Sequence, residues 1–145
     1  MKYINESNSI RSSVEGEMDF DRENSVNQVY DKFLAAGFSK NSVSPLQGYR
    51  ITDDKVSVSK TIDDLECVIE WDPAYFEKND SNINTGYAFS LIGEDEDDYL
   101  QNTEPWSVSS CIKAAKIAER FFSEYPCTPK YMEEFADKMG MQYGY

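Results

Sequence analysis

The sequence predicts a single α+β domain over residues 1–145. It is expected to contain an antiparallel sheet of three to four strands, with one N-terminal and two C-terminal helices packed on one face. Within residues 49–92, three segments alternate between apolar and polar side chains, a period of two that is typical of half-buried strands. Residues 25–38 and 105–140 repeat their apolar positions at helical spacing. With 40% hydrophobic and 14% aromatic residues, a chain of 145 residues can bury its own core.

The N-terminal part is expected to be an irregular arm or an edge strand over residues 1–24, followed by the first helix. The apolar residues that recur at helical spacing are Val26, Val29, Tyr30, Phe33 and Leu34. Gly37 then stands where a left-handed C-cap belongs, because glycine adopts positive φ without strain. Phe38 is placed to fold back onto the last turn. The first helix is therefore predicted over residues 25–38.

Residues 49–92 are predicted to form strands connected mostly by hairpins. Turns are expected at Thr52–Lys55 and at Asp63–Asp64, where residues that favour turns cluster. The side chains predicted to face the core are Val56, Val58, Ile62, Leu65, Cys67, Ile69, Trp71, Tyr87, Phe89 and Leu91. Glu66 and Glu70 alternate with the core residues of their strand, so they are expected on the opposite, solvent-facing side.

Residues 93–104 are predicted to form an acidic loop that leads into two helices over residues 105–140. Thr103 or Ser107 is expected to cap the first of these helices, because both can accept a hydrogen bond from a free backbone N–H group. Pro105 is expected in the first turn of that helix, where proline is tolerated.

Negative charge is concentrated in one third of the chain. The full sequence has 27 acidic and 14 basic residues, a net charge of −13. Residues 61–104 contain thirteen of the acids and a single base, Lys78. A pI near 4.3 argues against direct binding to nucleic acid or to an anionic membrane surface, because both require cationic groups. A partner of the acidic segment is therefore expected to be a basic protein.

Several classes of protein are excluded or disfavoured. Histidine is absent, which excludes Ser–His–Asp triads, Cys–His dyads and His-ligated zinc. No apolar run has the length of a membrane span or of a signal-peptide core. In a chain without a signal peptide, three widely spaced cysteines are expected to be reduced thiols in the cytoplasm. Cys127 precedes a predicted helix N-terminus, where a thiolate would be stabilised. Because no histidine is present to act as a base for Cys127, we expect neither an enzyme nor a cofactor.

The acids of residues 61–104 are predicted to form a docking surface. The candidate partner-binding residues are Asp63, Asp64, Glu66, Glu70, Asp72, Glu94, Asp95, Glu96, Asp97, Asp98 and Tyr99. Glu66 and Glu70 fall on the same side of one strand, roughly 13 Å apart at about 3.3 Å per residue. A DNA duplex presents about one negative charge per 1.7 Å of its axis, and carboxylates spread over one surface can imitate that array. The hypothesis requires these loops and strands to converge on one face.

In size, in charge segregation and in the absence of a catalytic signature, the chain resembles the small acidic inhibitors of phages and mobile elements. Those inhibitors include DNA mimics and anti-CRISPR or anti-restriction proteins. Bacterial toxin-immunity proteins, which neutralise basic nuclease toxins, rely on the same attraction between an acidic inhibitor and a basic target. The resemblance implies an inhibitor of a nuclease or of another nucleic-acid-binding effector, and it assigns no role to any particular residue.

Two other classes of protein remain open. The same carboxylates would serve a metal-binding module or a metal-dependent enzyme, with Glu66 and Glu70, or Glu70 and Asp72, as paired carboxylates. Residues 80–86 place oxygen ligands at alternate positions, like the start of a calcium loop. The glycine of that loop comes one residue late, and Leu91 occupies the position of the bidentate glutamate. The third class is an assembly protein, which predicts self-association and an exposed apolar patch.

Overall fold

The structure is a computed structural model that describes residues 25–71, 82–95 and 98–144. The strands are β1 (Ser39–Lys40), β2 (Val56–Ile62), β3 (Leu65–Trp71), β4 (Tyr87–Ile92), β5 (Tyr99–Asn102) and β6 (Met141–Tyr143). The helices are α1 (residues 25–35), α2 (Val108–Glu124) and α3 (Pro129–Met139). These residues form an α+β fold around one antiparallel sheet, in which the spatial order of the strands is also their order in the chain. The arm or edge strand predicted for residues 1–24 lies outside the described residues.

The prediction of three to four strands was wrong, because the sheet has six. The strands that the sequence did not reveal are short: β1 has two residues, β6 has three and β5 has four. A period of two cannot be recognised over so few residues, and β5 lies inside the predicted acidic loop over residues 93–104. Each short strand pairs with a neighbour: β1 with β2, β5 with β4, and β6 with β5.

The C-cap of α1 follows the prediction from Gly37 and Phe38, although the helix itself ends at residue 35 and not at residue 38. Gly37 has φ 93°, the left-handed conformation expected of a C-cap glycine. The Phe38 N–H group donates a 3.0 Å hydrogen bond to the Phe33 carbonyl, and the two rings meet edge-on with centroids 5.6 Å apart. The sequence could predict this helix end because the contacts that form it lie within about one helical turn.

The start of α2 differs from the prediction. Ser107 is the N-cap, and its hydroxyl accepts a 3.1 Å hydrogen bond from the Ser110 N–H group. The helix therefore begins at Val108, and Pro105 precedes it instead of lying in its first turn. The next helix, α3, begins with Pro129 at its first position and ends at Gly140, which has φ 70°.

One face of the sheet packs against α1, α2 and α3 and forms the core. The sheet residues on this face with no measurable exposure include Val58, Cys67, Ile69, Phe89, Leu91 and Leu100. Phe33 of α1, Cys111 of α2 and Phe135 of α3 are equally buried in the same cluster. None of the helices in the described ranges combines the length and the apolar character needed to cross a membrane.

The opposite face of the sheet is also buried over its centre, and the expectation that Glu70 faces solvent was wrong. The buried residues on this face are Ser57, Val68, Glu70, Ala88 and Ser90. The Ser57 hydroxyl donates a 2.8 Å hydrogen bond to the Glu70 carboxylate. Ser57 of β2 and Glu70 of β3 thus pair with each other inside the protein, which offsets the cost of removing them from water.

Candidate functional site

Two acidic turns lie at the same end of the sheet. In an antiparallel meander, alternate turns emerge on the same side. The β2–β3 turn is flanked by the paired residues Ile62 and Leu65, and the β4–β5 turn by the paired residues Ile92 and Tyr99. Between the two hairpins, Glu66 of β3 pairs with Ile92 of β4. The centres of the two turns are two strand spacings apart, about 10 Å. We call the carboxylates at this place the acidic end; they are Asp63, Asp64, Glu66, Glu94, Asp95 and Asp98.

The β2–β3 turn presents two exposed carboxylates. Asp63 and Asp64 are the whole connection between the paired residues Ile62 and Leu65, and both are exposed. Asp63 has φ 55°, a left-handed conformation that Asp tolerates better than most residues. The turn is therefore tight, and both acidic side chains stand beyond the end of the strands.

The β4–β5 turn is closed by its own backbone. The Gly93 N–H group donates a 2.6 Å hydrogen bond to the Asp98 carbonyl, and the Asp98 N–H group donates a 3.0 Å bond to the Asp95 carbonyl. A Cβ on Gly93 would lie only 2.6 Å from the Asp98 Cβ, so this close approach requires glycine. The Tyr143 hydroxyl donates a 3.3 Å hydrogen bond to Asp98 Oδ1, which ties the turn to β6. Glu94 and Asp95 remain exposed.

The structure brings together seven of the eleven candidate partner-binding residues. Four are exposed, namely Asp63, Asp64, Glu94 and Asp95, and three are half-buried, namely Glu66, Asp98 and Tyr99. Glu70 lies towards the other end of the sheet. Asp72, Glu96 and Asp97 lie outside the described residues.

Glu70 does not belong to the acidic end. It lies opposite Ser57 and Ala88 in the sheet, next to the pair formed by Trp71 and Tyr87. Only 5% of its surface is exposed, and its carboxylate accepts the hydrogen bond from Ser57. A carboxylate in this position cannot contact a docked protein, so its assignment as a partner-binding residue is not supported by the geometry.

Cys127 touches the acidic end, a contact that the sequence did not reveal. The cysteine lies in the connection between α2 and α3, and its thiol donates a 3.8 Å hydrogen bond to Asp63 Oδ2. Burial raises the pKa of the Cys127 thiol; a hydrogen bond from the Asp64 backbone opposes this, and the negative charges of Asp63 and Asp64 add to the increase. The expected stabilisation of a thiolate by the N-terminus of α3 is therefore outweighed. No signal in the sequence links residues this far apart.

The described residues do not assemble the metal sites that were considered. No group of three His, Cys, Asp or Glu side chains within residues 25–71, 82–95 and 98–144 is arranged to hold a metal ion. Glu66 and Glu70 are four residues apart in β3, about 13 Å, which is too far to share one ion. In the loop before β4, Asn82 Oδ1 accepts a 3.0 Å hydrogen bond from the Asn84 N–H group. Asp80 and Ser81 lie outside the described residues.

The geometry of the acidic end is thus the main source of information on function. Comparison with protein-family models, with curated proteins and with solved structures gave no match to this chain. The charge and exposure of the acidic end are therefore the properties that bear on function.

Proposed function

We propose that this chain is a small inhibitor that docks its acidic end onto a basic protein that handles nucleic acid. The observation that carries the proposal is the emergence of the β2–β3 and β4–β5 turns at one end of the sheet. The biological setting would be that of a phage anti-defence protein or of a toxin-immunity protein. We include a cytoplasmic location in the proposal, since all three cysteines are free thiols.

The charge density of the acidic end supports mimicry of nucleic acid. The four exposed carboxylates Asp63, Asp64, Glu94 and Asp95 span a distance of about 10 Å, the separation of the two turns. That is about one charge per 2.5 Å, near the value of about 1.7 Å for a duplex. The same distance slightly exceeds the Debye length of about 8 Å at physiological salt, so the two turns reinforce each other most strongly at low salt.

The rigidity of the acidic end supports specific docking. The backbone bond between Gly93 and Asp98 closes one turn, and the contact between Asp63 and Cys127 holds the other against the helical layer. A turn whose backbone is already positioned loses little conformational freedom on binding, which favours affinity.

The proposed mechanism combines electrostatic steering with occlusion. The carboxylates of the acidic end accelerate the encounter with a cationic cleft, and the docked protein then blocks access of nucleic acid to that cleft. Tyr99 begins β5 beside the acidic turn and is half-buried. Its exposed part can contact the partner, and tyrosine is a residue type that is enriched among interface hot spots.

The test compares two variants with the same change in net charge. In the first, three exposed acids of the acidic end are reversed by Asp64→Lys, Glu94→Lys and Asp95→Lys. Asp63 is kept because its left-handed φ favours aspartate. The control reverses three exposed acids of α3: Glu133→Lys, Glu134→Lys and Asp137→Lys.

Each protein is used to capture partners from a bacterial lysate at low salt, and the captured proteins are identified by mass spectrometry. Association rates with the purified partner are then measured at several salt concentrations. The expected result is a basic nuclease or nucleic-acid-binding protein that associates about 10- to 100-fold more slowly with the acidic-end variant. The α3 control should change the rate only a few-fold. Equal rates for the two variants would exclude the acidic end as the docking surface.

A further inference from the structure

A groove on the outer side of the helical layer is basic, although the chain as a whole is acidic. It has a volume of about 660 Å³. The lining residues are Lys113, Lys116, Ile117, Arg120, Phe121, Glu124, Tyr125 and Lys138. Four of these eight side chains are cationic and one is acidic, although acids outnumber bases 27 to 14 in the whole chain.

The four cations of the groove are available to a ligand. Lys113, Lys116 and Arg120 are spaced by three and four residues along α2, so they share one side of that helix. These three side chains and Lys138 are exposed, and none of them forms an ion pair with another described residue. The acid of α2 that does form an ion pair, Glu119, is bound to Lys60 at 2.9 Å and does not line the groove.

The floor of the groove is aromatic and well supported. The Phe121 ring contacts the rings of Phe122 and Tyr125, each with centroids 4.9 Å apart, and the ring of Phe135 at 5.4 Å. Tyr125 also stacks on Tyr131 with centroids 4.9 Å apart. Tyr125 nevertheless keeps 42% of its surface exposed. A fixed, partly exposed tyrosine beside cations is the type of residue that dominates interface hot spots.

We propose that this groove binds an acidic peptide segment of a partner protein. Carboxylates of the segment would pair with the exposed cations of α2 and with Lys138, and an apolar or aromatic side chain would pack on Phe121 and Tyr125. From Lys113 to Tyr125 the helix extends about 18 Å at 1.5 Å per residue. An extended peptide of about five or six residues covers that length at about 3.3 Å per residue.

Charge favours a peptide over nucleic acid as the occupant. A net charge of −13 repels a polyanion at long range, and a row of four cations neutralises only a few phosphates. A short segment with two to four carboxylates is repelled less strongly than a nucleic acid, and its charge matches the row of cations. This inference goes beyond the proposed inhibitor function, because it concerns another layer of the molecule and a surface of opposite sign.

The test begins with a random peptide library of about six varied positions, displayed on phage and selected on the immobilised full-length protein. We expect the selected peptides to be rich in Asp and Glu and to contain an aromatic or leucine residue. One selected peptide is then labelled with fluorescein, and its affinity is measured by fluorescence anisotropy. If the selected peptides are not enriched in Asp and Glu, this result alone overturns the proposal.

Two triple variants with the same change in charge locate the binding site. Lys113→Glu, Lys116→Glu and Arg120→Glu together should weaken binding of the labelled peptide at least tenfold. The control variant Lys32→Glu, Lys40→Glu and Arg50→Glu alters exposed cations outside the groove and should retain binding within about threefold. If the first variant does not fold, as judged by circular dichroism, the corresponding triple glutamine variant replaces it. Equal affinities for the groove variant and the control would refute the assignment.

Two further measurements identify a different occupant. A labelled single-stranded oligonucleotide that competes with the peptide and binds more tightly would show that the groove takes nucleic acid instead. Analytical ultracentrifugation would reveal self-association; if it occurs and disappears in the groove variant, the occupant is a second copy of this chain. Either outcome would overturn the peptide proposal, and neither would affect the docking test for the acidic end.

Discussion

Replacing Asn102 with leucine should lower the free energy of unfolding by about 3 kcal/mol, because its side-chain amide takes the place of a missing stretch of strand. Asn102 is buried at the end of β5. Its Oδ1 accepts a 2.9 Å hydrogen bond from the Phe89 N–H group, and its Nδ2 donates to the carbonyls of Tyr87 at 3.0 Å and of Glu104 at 2.7 Å. Backbone pairing with β4 resumes only at the bridge between Tyr87 and Trp106.

The magnitude follows from what each partner loses. The Phe89 N–H group is buried, so it cannot form a hydrogen bond to water in place of the lost one. An unsatisfied buried donor costs about 1–3 kcal/mol. The lost bond to the Glu104 carbonyl adds about 1 kcal/mol. The Tyr87 carbonyl keeps a 3.1 Å bond from the Trp106 N–H group and adds little. Leucine keeps the branching of asparagine, so lost hydrogen bonds and not a cavity determine the change.

The assay is urea and thermal unfolding, followed by tryptophan fluorescence and circular dichroism. At about 2–4 °C per kcal/mol for a chain of this size, the melting temperature should fall by about 6–12 °C. The control is Gln101→Leu, at a half-buried neighbouring position whose bond to Ser90 is long at 3.4 Å. It should change stability by about 0.5 kcal/mol or less. A melting temperature of Asn102→Leu within about 2 °C of the wild type would show that the amide does not hold the sheet together.

Two further predictions concern the thiols. Iodoacetamide should modify Cys127 alone in the folded protein, and Asp63→Asn with Asp64→Asn should accelerate the reaction several-fold, since burial and then these carboxylates raise the pKa of that thiol. Mass spectrometry counts the adducts, and an unchanged rate would contradict the contact with the acidic end. Burial also raises the pKa of Cys67 and Cys111 above their ordinary value of 9.0, so the unfolded state loses these protons first as pH rises. The free energy of unfolding, measured in urea, should fall above about pH 9 by up to about 1.4 kcal/mol per pH unit for each thiol, and Cys111→Ala should remove one such contribution. Parallel pH profiles for the variant and the wild type would refute this account.

The sequence predicted those features whose causes lie within a few residues. The αL conformation of Gly37 and the folding back of Phe38 involve one helical turn. The apolar faces of β2, β3 and β4 followed from alternation over six or seven residues, long enough for a period of two to be recognised. The sequence also located the candidate site in residues 61–104, because charge composition is a property of the sequence alone.

Tertiary structure decided which of the acids share a surface. The meander order of the strands brings Asp64 and Glu94 to the same end of the sheet, a result of pairing between distant segments that local patterns do not encode. The same pairing places Glu70 beside Ser57 in the interior, although its position in the alternation is the same as that of Glu66. Short strands such as β5 and β6 exist only because a neighbour satisfies their backbone groups. By itself, the sequence determined the α+β class, the longer elements and the charge, whereas the exposure of each carboxylate depended on long-range contacts.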